Sequence, residues 1–265
     1  MKIVSVLFAM MLVPSEISAQ QLQLELSGDV DTWLGSAKVA TGWVNVSQSN
    51  AIYSIEAVLQ PGGVLGTLLG WWWRNGGHWR AEGQLALAGS LQPLMYDMTA
   101  GSSHTKLSYS TSGTVTSEMA PQITEPLRLA TPDQTRSTVD EVTAYFAFSR
   151  LLYYRNSCIG TVHVFDGVKR FDLIFSSIPV RDIIQFSKHD WSGQLISCQI
   201  SRLDIAGFPT TATPDPDPEP KGQIWFVPAD ACRLMIPVKI SAEIGSHTIY
   251  MYAQNVKYCG SFLGL

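Results

Sequence analysis

Charge is scarce in this chain of 265 residues. Asp, Glu, Lys and Arg together account for 15% of the sequence, whereas an average soluble domain has about 25%. A basic excess is lacking too, because the formal net charge is −4 at pH 7, which argues against a nucleic-acid binder. Hydrophobic residues reach 46%, so the chain has ample material for a packed core and does not have a disordered composition.

Catalytic motifs are also missing. The sequence contains no Gly-x-Ser-x-Gly, no His-Glu-x-x-His, no phosphate loop and no Gly-x-Gly-x-x-Gly, the usual signatures of hydrolases, metalloproteases and nucleotide-binding enzymes. No two of its five histidines have metal-ligand spacing. We therefore predict that the protein is not an enzyme and has no cofactor and no metal site. The alternative is a general base formed by His163 with Asp166 or by His189 with Asp190, although single histidines are far more often structural.

The N-terminus predicts export. Lys2 precedes an apolar run from Ile3 to Val13, which is shorter than the about 20 residues that a membrane-spanning helix needs. Pro14 ends the run and Ala19 supplies a small residue before a cleavage point. We therefore predict a signal peptide over residues 1–19. A retained N-terminal anchor is the alternative.

Four cysteines, Cys158, Cys198, Cys232 and Cys259, follow the predicted signal peptide. An even number in an exported chain predicts two disulfides, and four cysteines allow three connectivities. No pair has Cys-x-x-Cys spacing, which argues against a zinc ribbon or a thioredoxin-like centre.

Residues 234–244 and 247–258 predict a hairpin. Apolar side chains alternate with polar ones before Gly245-Ser246, a dipeptide typical of a two-residue turn. In such a hairpin the two residue numbers of every opposed pair have the same sum, which is set by Ile244 and His247 on either side of the turn. Cys232 and Cys259 have that same sum, so we expect them to face each other within disulfide distance. Cys158 then pairs with Cys198 by elimination. Pro237 has no amide hydrogen, which predicts a sheet edge or a break beside its strand.

Most other segments alternate with a period of two residues, as strands do. Tyr53, Ile55 and Ala57 alternate with Ser54 and Glu56, and similar patterns recur along the chain. The sequence therefore predicts a meander of many antiparallel strands.

Asp166-Gly167 separates two further alternating runs, which is a strong signal for a hairpin. Asp tolerates the left-handed backbone conformation, so we give Asp166 and Gly167 a structural role in the turn. Arg170 and Asp172 lie two residues apart on the same strand face, and we predict a structural ion pair between them.

One helix is predicted near residues 138–153. Thr138 and Glu141 have the spacing of a capping box. An apolar stripe follows at Val142, Tyr145, Phe146, Leu151 and Leu152. Asn156 and Ser157 are expected to end the helix. Three prolines predict a surface loop over residues 118–136.

Trp71, Trp72 and Trp73 are the most unusual feature of the sequence. Successive side chains on a strand point to opposite faces, so the three cannot all point inward. They are candidate ligand-binding residues at a cavity, a partner surface or a membrane interface. The alternative is that neighbouring loops cover all three. Glycines four residues apart precede them, but the Pro61-Gly62-Gly63 interruption favours a short turn or helix over a membrane span.

The segment Val164-Phe165-Asp166-Gly167-Val168-Lys169-Arg170-Phe171-Asp172-Leu173 has Cys158 before it and Cys198 after it. Weaker pieces are Leu91–Tyr96, Ile205–Phe208 and Thr138–Ala144, with Glu141 in place of a usual proline. Together these resemble a bacterial envelope family catalogued as domain of unknown function 3108. The likeness covers about residues 33–256, and only the hairpin with its flanking cysteines is fairly specific.

The resemblance implies a mainly β periplasmic domain, built as a curled antiparallel sheet or an open, β-spiral-like barrel, and the predicted helix near residues 138–153 is its one main helix. It brings no established reaction, so no catalytic residue is transferred. Cys232 and Cys259 are additional to the family's usual pattern. We predict a single domain over residues 20–265 without a transmembrane span, with an exposed proline-rich loop near residues 210–222.

Two functions are compatible with these features. The first is a non-catalytic binder that holds a lipid or another apolar ligand inside the β shell. The second is an envelope scaffold that contacts other proteins through an edge near Pro237 and through the acidic proline-rich loop. An apolar cavity would favour the first function, and a filled barrel with its tryptophans on an outer patch would favour the second. A hydrolase without a known motif is a third, less favoured hypothesis.

Overall fold

The structure is a computed structural model that describes residues 20–32, 35–49, 51–62, 76–85, 90–122, 124, 126–178, 195–211, 222–244 and 247–264. The predicted signal peptide (1–19), the three tryptophans Trp71–Trp73 and residues 212–221 of the proline-rich loop lie outside these ranges. In the described part of the chain, no helix is long and apolar enough to span a membrane.

The described chain is mainly β. In chain order its elements are β1 (Gln20–Thr32), β2 (Gly35–Ser49), β3 (Ile52–Pro61), β4 (Gly77–Leu85), β5 (Leu91–Ala100), β6 (Ser103–Tyr109), β7 (Val115–Ala120), β8 (Leu127–Arg128), α1 (Pro132–Thr135), α2 (Glu141–Arg155), β9 (Gly160–Phe165), β10 (Arg170–Ser177), β11 (Ile196–Ala206), β12 (Phe208–Pro209), β13 (Gly222–Ala229), a 3₁₀ turn (Asp230–Cys232), β14 (Leu234–Ile244), β15 (His247–Tyr258) and β16 (Ser261–Gly264).

Fourteen of the strands form one antiparallel sheet in the order β7-β6-β5-β4-β3-β2-β1-β15-β14-β13-β11-β10-β9, with β16 beside β15. A sheet this long curls because adjacent strands twist relative to one another. The curl brings distant strands together: a Cβ atom on Gly167, after β9, would lie 2.6 Å from Thr105 on β6. The sheet remains open, which confirms the curled architecture and the single main helix.

Helix α2 lies inside the curl, since it contacts β9 and β14 on one side and β3, β4 and β5 on the other. Its N-cap is Asp140, whose Oδ1 accepts from the Thr143 amide at 2.8 Å. The predicted cap at Thr138 is wrong, because the Thr138 hydroxyl instead donates to the Thr135 carbonyl at 2.7 Å. The C-cap is Asn156 in the left-handed conformation, where a short polar side chain is tolerated.

The predicted surface loop over residues 118–136 contains a short helix, α1. Thr131 caps it, and its hydroxyl accepts from the Gln134 amide while the Gln134 side chain accepts from the Thr131 amide. Pro132 at the first helical position fits a helix start. The capping-box spacing was therefore visible in the sequence.

The hairpin at Asp166-Gly167 differs from the two-residue turn that the dipeptide suggests. Phe165 pairs with Arg170, so four residues form the loop. The Asp166 carboxylate accepts from the Val168 and Lys169 amides at 2.9 and 2.6 Å, which stabilises the turn. Gly167 has a φ of 103°, a conformation that strongly favours glycine.

The hairpin of β14 and β15 has the predicted register, with Ile244 opposite His247 and Lys239 opposite Tyr252. The ladder then stops next to Pro237, as expected for a residue that cannot donate. The end of β15 from Asn255 to Tyr258, which β14 does not pair with, pairs with β16 instead. The predicted break beside Pro237 is therefore confirmed, and Cys232 still faces Cys259 beyond it.

Both disulfides have the pairing that the sequence predicts. Cys158 and Cys198 are joined with their Cα atoms 5.4 Å apart, and Cys232 and Cys259 with theirs 5.8 Å apart. The first connects the chain after α2 to β11. The second connects the 3₁₀ turn before β14 to the turn after β15.

Candidate functional site

An apolar cavity of about 380 Å³ lies between α2 and the concave face of the sheet. Its walls are β1, β2, β3, β13, β14 and β15, which are consecutive in the sheet. The residues that line it are Leu22, Leu24, Leu26, Gly28, Val39, Ala40, Val44, Val46, Ile55, Ala57, Leu59, Val142, Tyr145, Phe146, Ser149, Ile224, Phe226, Met235, Pro237, Val238, Lys239, Ile240, Ala242, Ile249, Met251 and Ala253.

The space exists because small residues occupy core positions. Five of the lining residues have no side-chain atom beyond Cβ: Gly28, Ala40, Ala57, Ala242 and Ala253. They lie on β1, β2, β3, β14 and β15, so each of these five strands contributes one small residue to the cavity wall. Period-two alternation predicts which face of a strand is apolar, but it does not predict whether that face is filled.

Few hydrogen-bonding side chains border the cavity in the described part of the chain. Ser149 donates its hydroxyl to the Met235 carbonyl. The Lys239 ammonium lies 4.7 Å from the centre of the Trp225 ring and 4.8 Å from that of Tyr250. Trp225 pairs directly with Lys239 across the ladder, so both side chains lie on the face of the sheet opposite Ile240.

Tyr145 of α2 lines the cavity together with Ser149. Tyr145 is 43% exposed. The surrounding protein nevertheless removes water from the hydroxyl, and this burial, with a smaller effect of the Glu141 charge, raises the pKa of Tyr145 to about 12. The hydroxyl is therefore neutral at physiological pH.

A buried polar cluster lies at the N-terminal end of α2. It consists of Asp140, Thr143, Tyr53, Tyr96 and Tyr109. The Tyr53 hydroxyl is 3.4 Å from the Thr143 hydroxyl. Asp140 Oδ2 and the hydroxyls of Tyr96 and Tyr109 are buried without a hydrogen-bond partner among the described residues. Sequence reasoning did not find this cluster, because its members come from four elements and none forms a motif.

Burial determines the electrostatics of this cluster. Desolvation raises the pKa of Asp140 to about 6, against the opposing effect of its hydrogen bond from Thr143. The pKa of Glu141 rises to about 7, chiefly through burial and secondly through the Asp166 charge. Burial also raises the pKa of each of the three tyrosines. The helix start is therefore held in a poorly hydrated environment.

The predicted ion pair of Arg170 and Asp172 is present, with 2.5 Å between Nη1 and Oδ1. Arg170 is 8% exposed, and its Nε donates to the Gln134 carbonyl of α1 at 2.9 Å. His163 Nδ1 lies 2.6 Å from the same Asp172 oxygen. The pair thus holds β10 against α1 and β9, and His163 contacts Asp172 rather than the hairpin residue Asp166.

The other sequence-predicted site residues are distributed differently. Pro237 lines the cavity and pairs with Phe226 of β13, whereas on the other side the ladder with β15 has already ended. Among the described residues, no group of three or more His, Cys, Asp or Glu side chains is placed to hold a metal ion. The candidate residues Trp71, Trp72 and Trp73 lie outside the described ranges.

The chain matches no protein-family model, no curated protein and no solved structure.

Proposed function

We propose that this protein is a non-catalytic periplasmic envelope protein that binds a lipid or another apolar ligand inside its curled sheet. The observation that carries the proposal is the apolar cavity of about 380 Å³ between α2 and the sheet. Ligand pockets typically measure about 300–1,000 Å³ and are lined mainly by apolar side chains with a few polar groups. A core that serves only stability is packed closely, whereas this cavity has the size and lining of a ligand site.

Two further features support the exported location. Both disulfides suit an oxidising compartment outside the cytosol. The N-terminal sequence, with Lys2 before an apolar run and Ala19 at its end, has the form of a signal peptide. The resemblance to the bacterial envelope family points to the periplasm in particular.

The alternative, an envelope scaffold, has less support from the described residues. Its proposed edge at Pro237 belongs to the cavity wall. We therefore favour ligand binding over a scaffold role.

Native mass spectrometry of gently purified protein tests the proposal. We expect a copurified apolar molecule, and an environment-sensitive fluorescent fatty acid should bind and be displaced by unlabelled fatty acid. Phe146→Trp adds a tryptophan to the cavity wall, and the difference between its emission and that of the unmodified protein should change on binding. An absence of both copurified ligand and fatty-acid binding in folded protein would refute the proposal.

A further inference from the structure

We infer that the ligand of this cavity is a single unbranched alkyl chain of about a dozen carbons whose polar head stays outside. This inference rests on the proposed function and specifies its substrate class. The volume supplies the first argument. A methylene group takes up about the 30 Å³ that one water molecule occupies in the liquid, so a cavity of about 380 Å³ has room for about a dozen methylenes, which is one alkyl chain.

The chemistry of the walls supplies the second argument. Ser149 already donates its hydroxyl to Met235, and Lys239 directs its ammonium toward the aromatic rings on the other face of the sheet. The Tyr145 hydroxyl is the polar side-chain group that remains at the cavity among the described residues. A charged or strongly hydrated head group placed inside would lose its water without gaining partners. The part of the ligand inside is therefore hydrocarbon.

The shape of the walls supplies the third argument. The lining comes mostly from aliphatic side chains on six neighbouring strands, and the small residues are spread over five of them. Ala57 on β3 and Leu26 on β1 are the most useful of these positions, because one is short and one is long. A longer side chain at Ala57 removes space, and a shorter one at Leu26 adds space. The optimal length of the bound chain should therefore decrease with the first change and increase with the second.

A chain-length series measures this directly. Fatty acids with eight to eighteen carbons are titrated into the full-length protein by displacement of a fluorescent fatty acid. Each methylene that enters the cavity should tighten binding about fourfold. For the unmodified protein we expect this gain up to about twelve or thirteen carbons and a plateau beyond.

Two variants should move the plateau in opposite directions. Ala57→Leu adds three carbon atoms to the wall and should shorten the optimal chain by about three carbons. Leu26→Ala removes three and should lengthen it by about three. Val58→Leu is the matched control, because Val58 is the neighbour of Ala57 on the opposite face of β3 and does not line the cavity. It should leave the profile unchanged. Circular dichroism establishes that each variant is folded.

The outcomes separate this inference from the proposed function. If no fatty acid binds the folded protein, the proposed function itself fails. If fatty acids bind but affinity rises steadily to eighteen carbons, the volume argument is wrong while ligand binding stands. The volume argument is equally wrong if Ala57→Leu behaves like Val58→Leu, or if a two-chain phosphatidylglycerol displaces the probe as tightly as the best fatty acid.

Discussion

The two faces of α2 pack against the same sheet in different ways. On one face Phe148 stacks on Phe175 with ring centroids 3.5 Å apart. On the other face Val142 and Phe146 border the cavity. We refer to the first as the ring-packed face and to the second as the cavity face.

The difference teaches that side-chain volume, and not strand pattern, decides where the curled sheet is filled. The ring-packed face belongs to a buried cluster to which β9 contributes Val164, β10 contributes Phe171 and Phe175, and β11 contributes Cys198. The cavity face lies opposite strands that contribute alanine or glycine to the lining of the cavity. Both faces are apolar, but only one leaves room for a ligand.

The largest effect should come from emptying the ring-packed face. Phe148 is fully buried, and Phe148→Ala should lower the free energy of unfolding by about 3–5 kcal/mol because it opens a new cavity. Leu26→Ala, beside the existing cavity, should cost only about 1–2 kcal/mol, since that side chain has fewer packing contacts to lose. Urea unfolding measures both. Equal losses would contradict the distinction between the faces.

Next in size is the effect of the disulfides. Replacing Cys158 and Cys198 together by alanine should reduce the free energy of unfolding by about 2–4 kcal/mol, because the unfolded chain gains freedom. The bond closes a sequence separation of 40 residues beside the ring-packed face. Ligand binding should persist in the fraction that is folded.

The matched pair for this experiment is Cys232 and Cys259, with a sequence separation of 27. Their bond joins the residue ranges just before β14 and just after β15, and both strands are walls of the cavity. Its removal should therefore weaken fatty-acid binding as well as stability. The comparison would be overturned if the two double variants bound fatty acid equally well. Melting temperature and probe displacement are the measurements.

A smaller effect concerns pH. The pKa values of Asp140 and Glu141 in the folded protein, about 6 and about 7, exceed the unfolded values of about 3.9 and 4.3. Between pH 4 and pH 7 the folded state therefore binds more protons than the unfolded state, and this contribution to stability falls as the pH rises.

Asp140→Asn isolates the contribution of Asp140, because asparagine still caps a helix but carries no charge. Relative to the unmodified protein, the variant should gain about 1–3 kcal/mol of stability between pH 4 and pH 8. Urea unfolding at both pH values gives the difference. A difference that is the same at pH 4 and pH 8 would show that Asp140 does not titrate in this range.

Much of this fold was predictable from the sequence, since it depends on local patterns. Alternation predicted the antiparallel strands, and the register of one hairpin correctly placed Cys232 opposite Cys259. The N-cap was misplaced because Thr138 and Asp140 are both good caps, and only packing against Tyr53 and its neighbours selects Asp140.

The candidate site was not predictable in the same way. Leu24 and Ala57 both occupy inward positions on their strands, but whether space remains between them depends on how far the sheet curls. The curl is a property of fourteen strands together and has no local signal. An apolar interior could therefore be predicted as a ligand site from the sequence, whereas the residues that line it could not.

The smallest effect should come from the buried hydroxyls at the N-terminal end of α2. Tyr96 is fully buried and its hydroxyl has no hydrogen-bond partner among the described residues. Removing an unpaired buried hydroxyl costs little, because its desolvation is no longer a penalty. Tyr96→Phe should therefore change the free energy of unfolding by less than about 0.5 kcal/mol or stabilise the protein slightly. Ser149→Ala is the contrast, since Ser149 donates to Met235, and should cost about 1 kcal/mol. A loss above that figure for Tyr96→Phe would mean that the hydroxyl is hydrogen-bonded in solution.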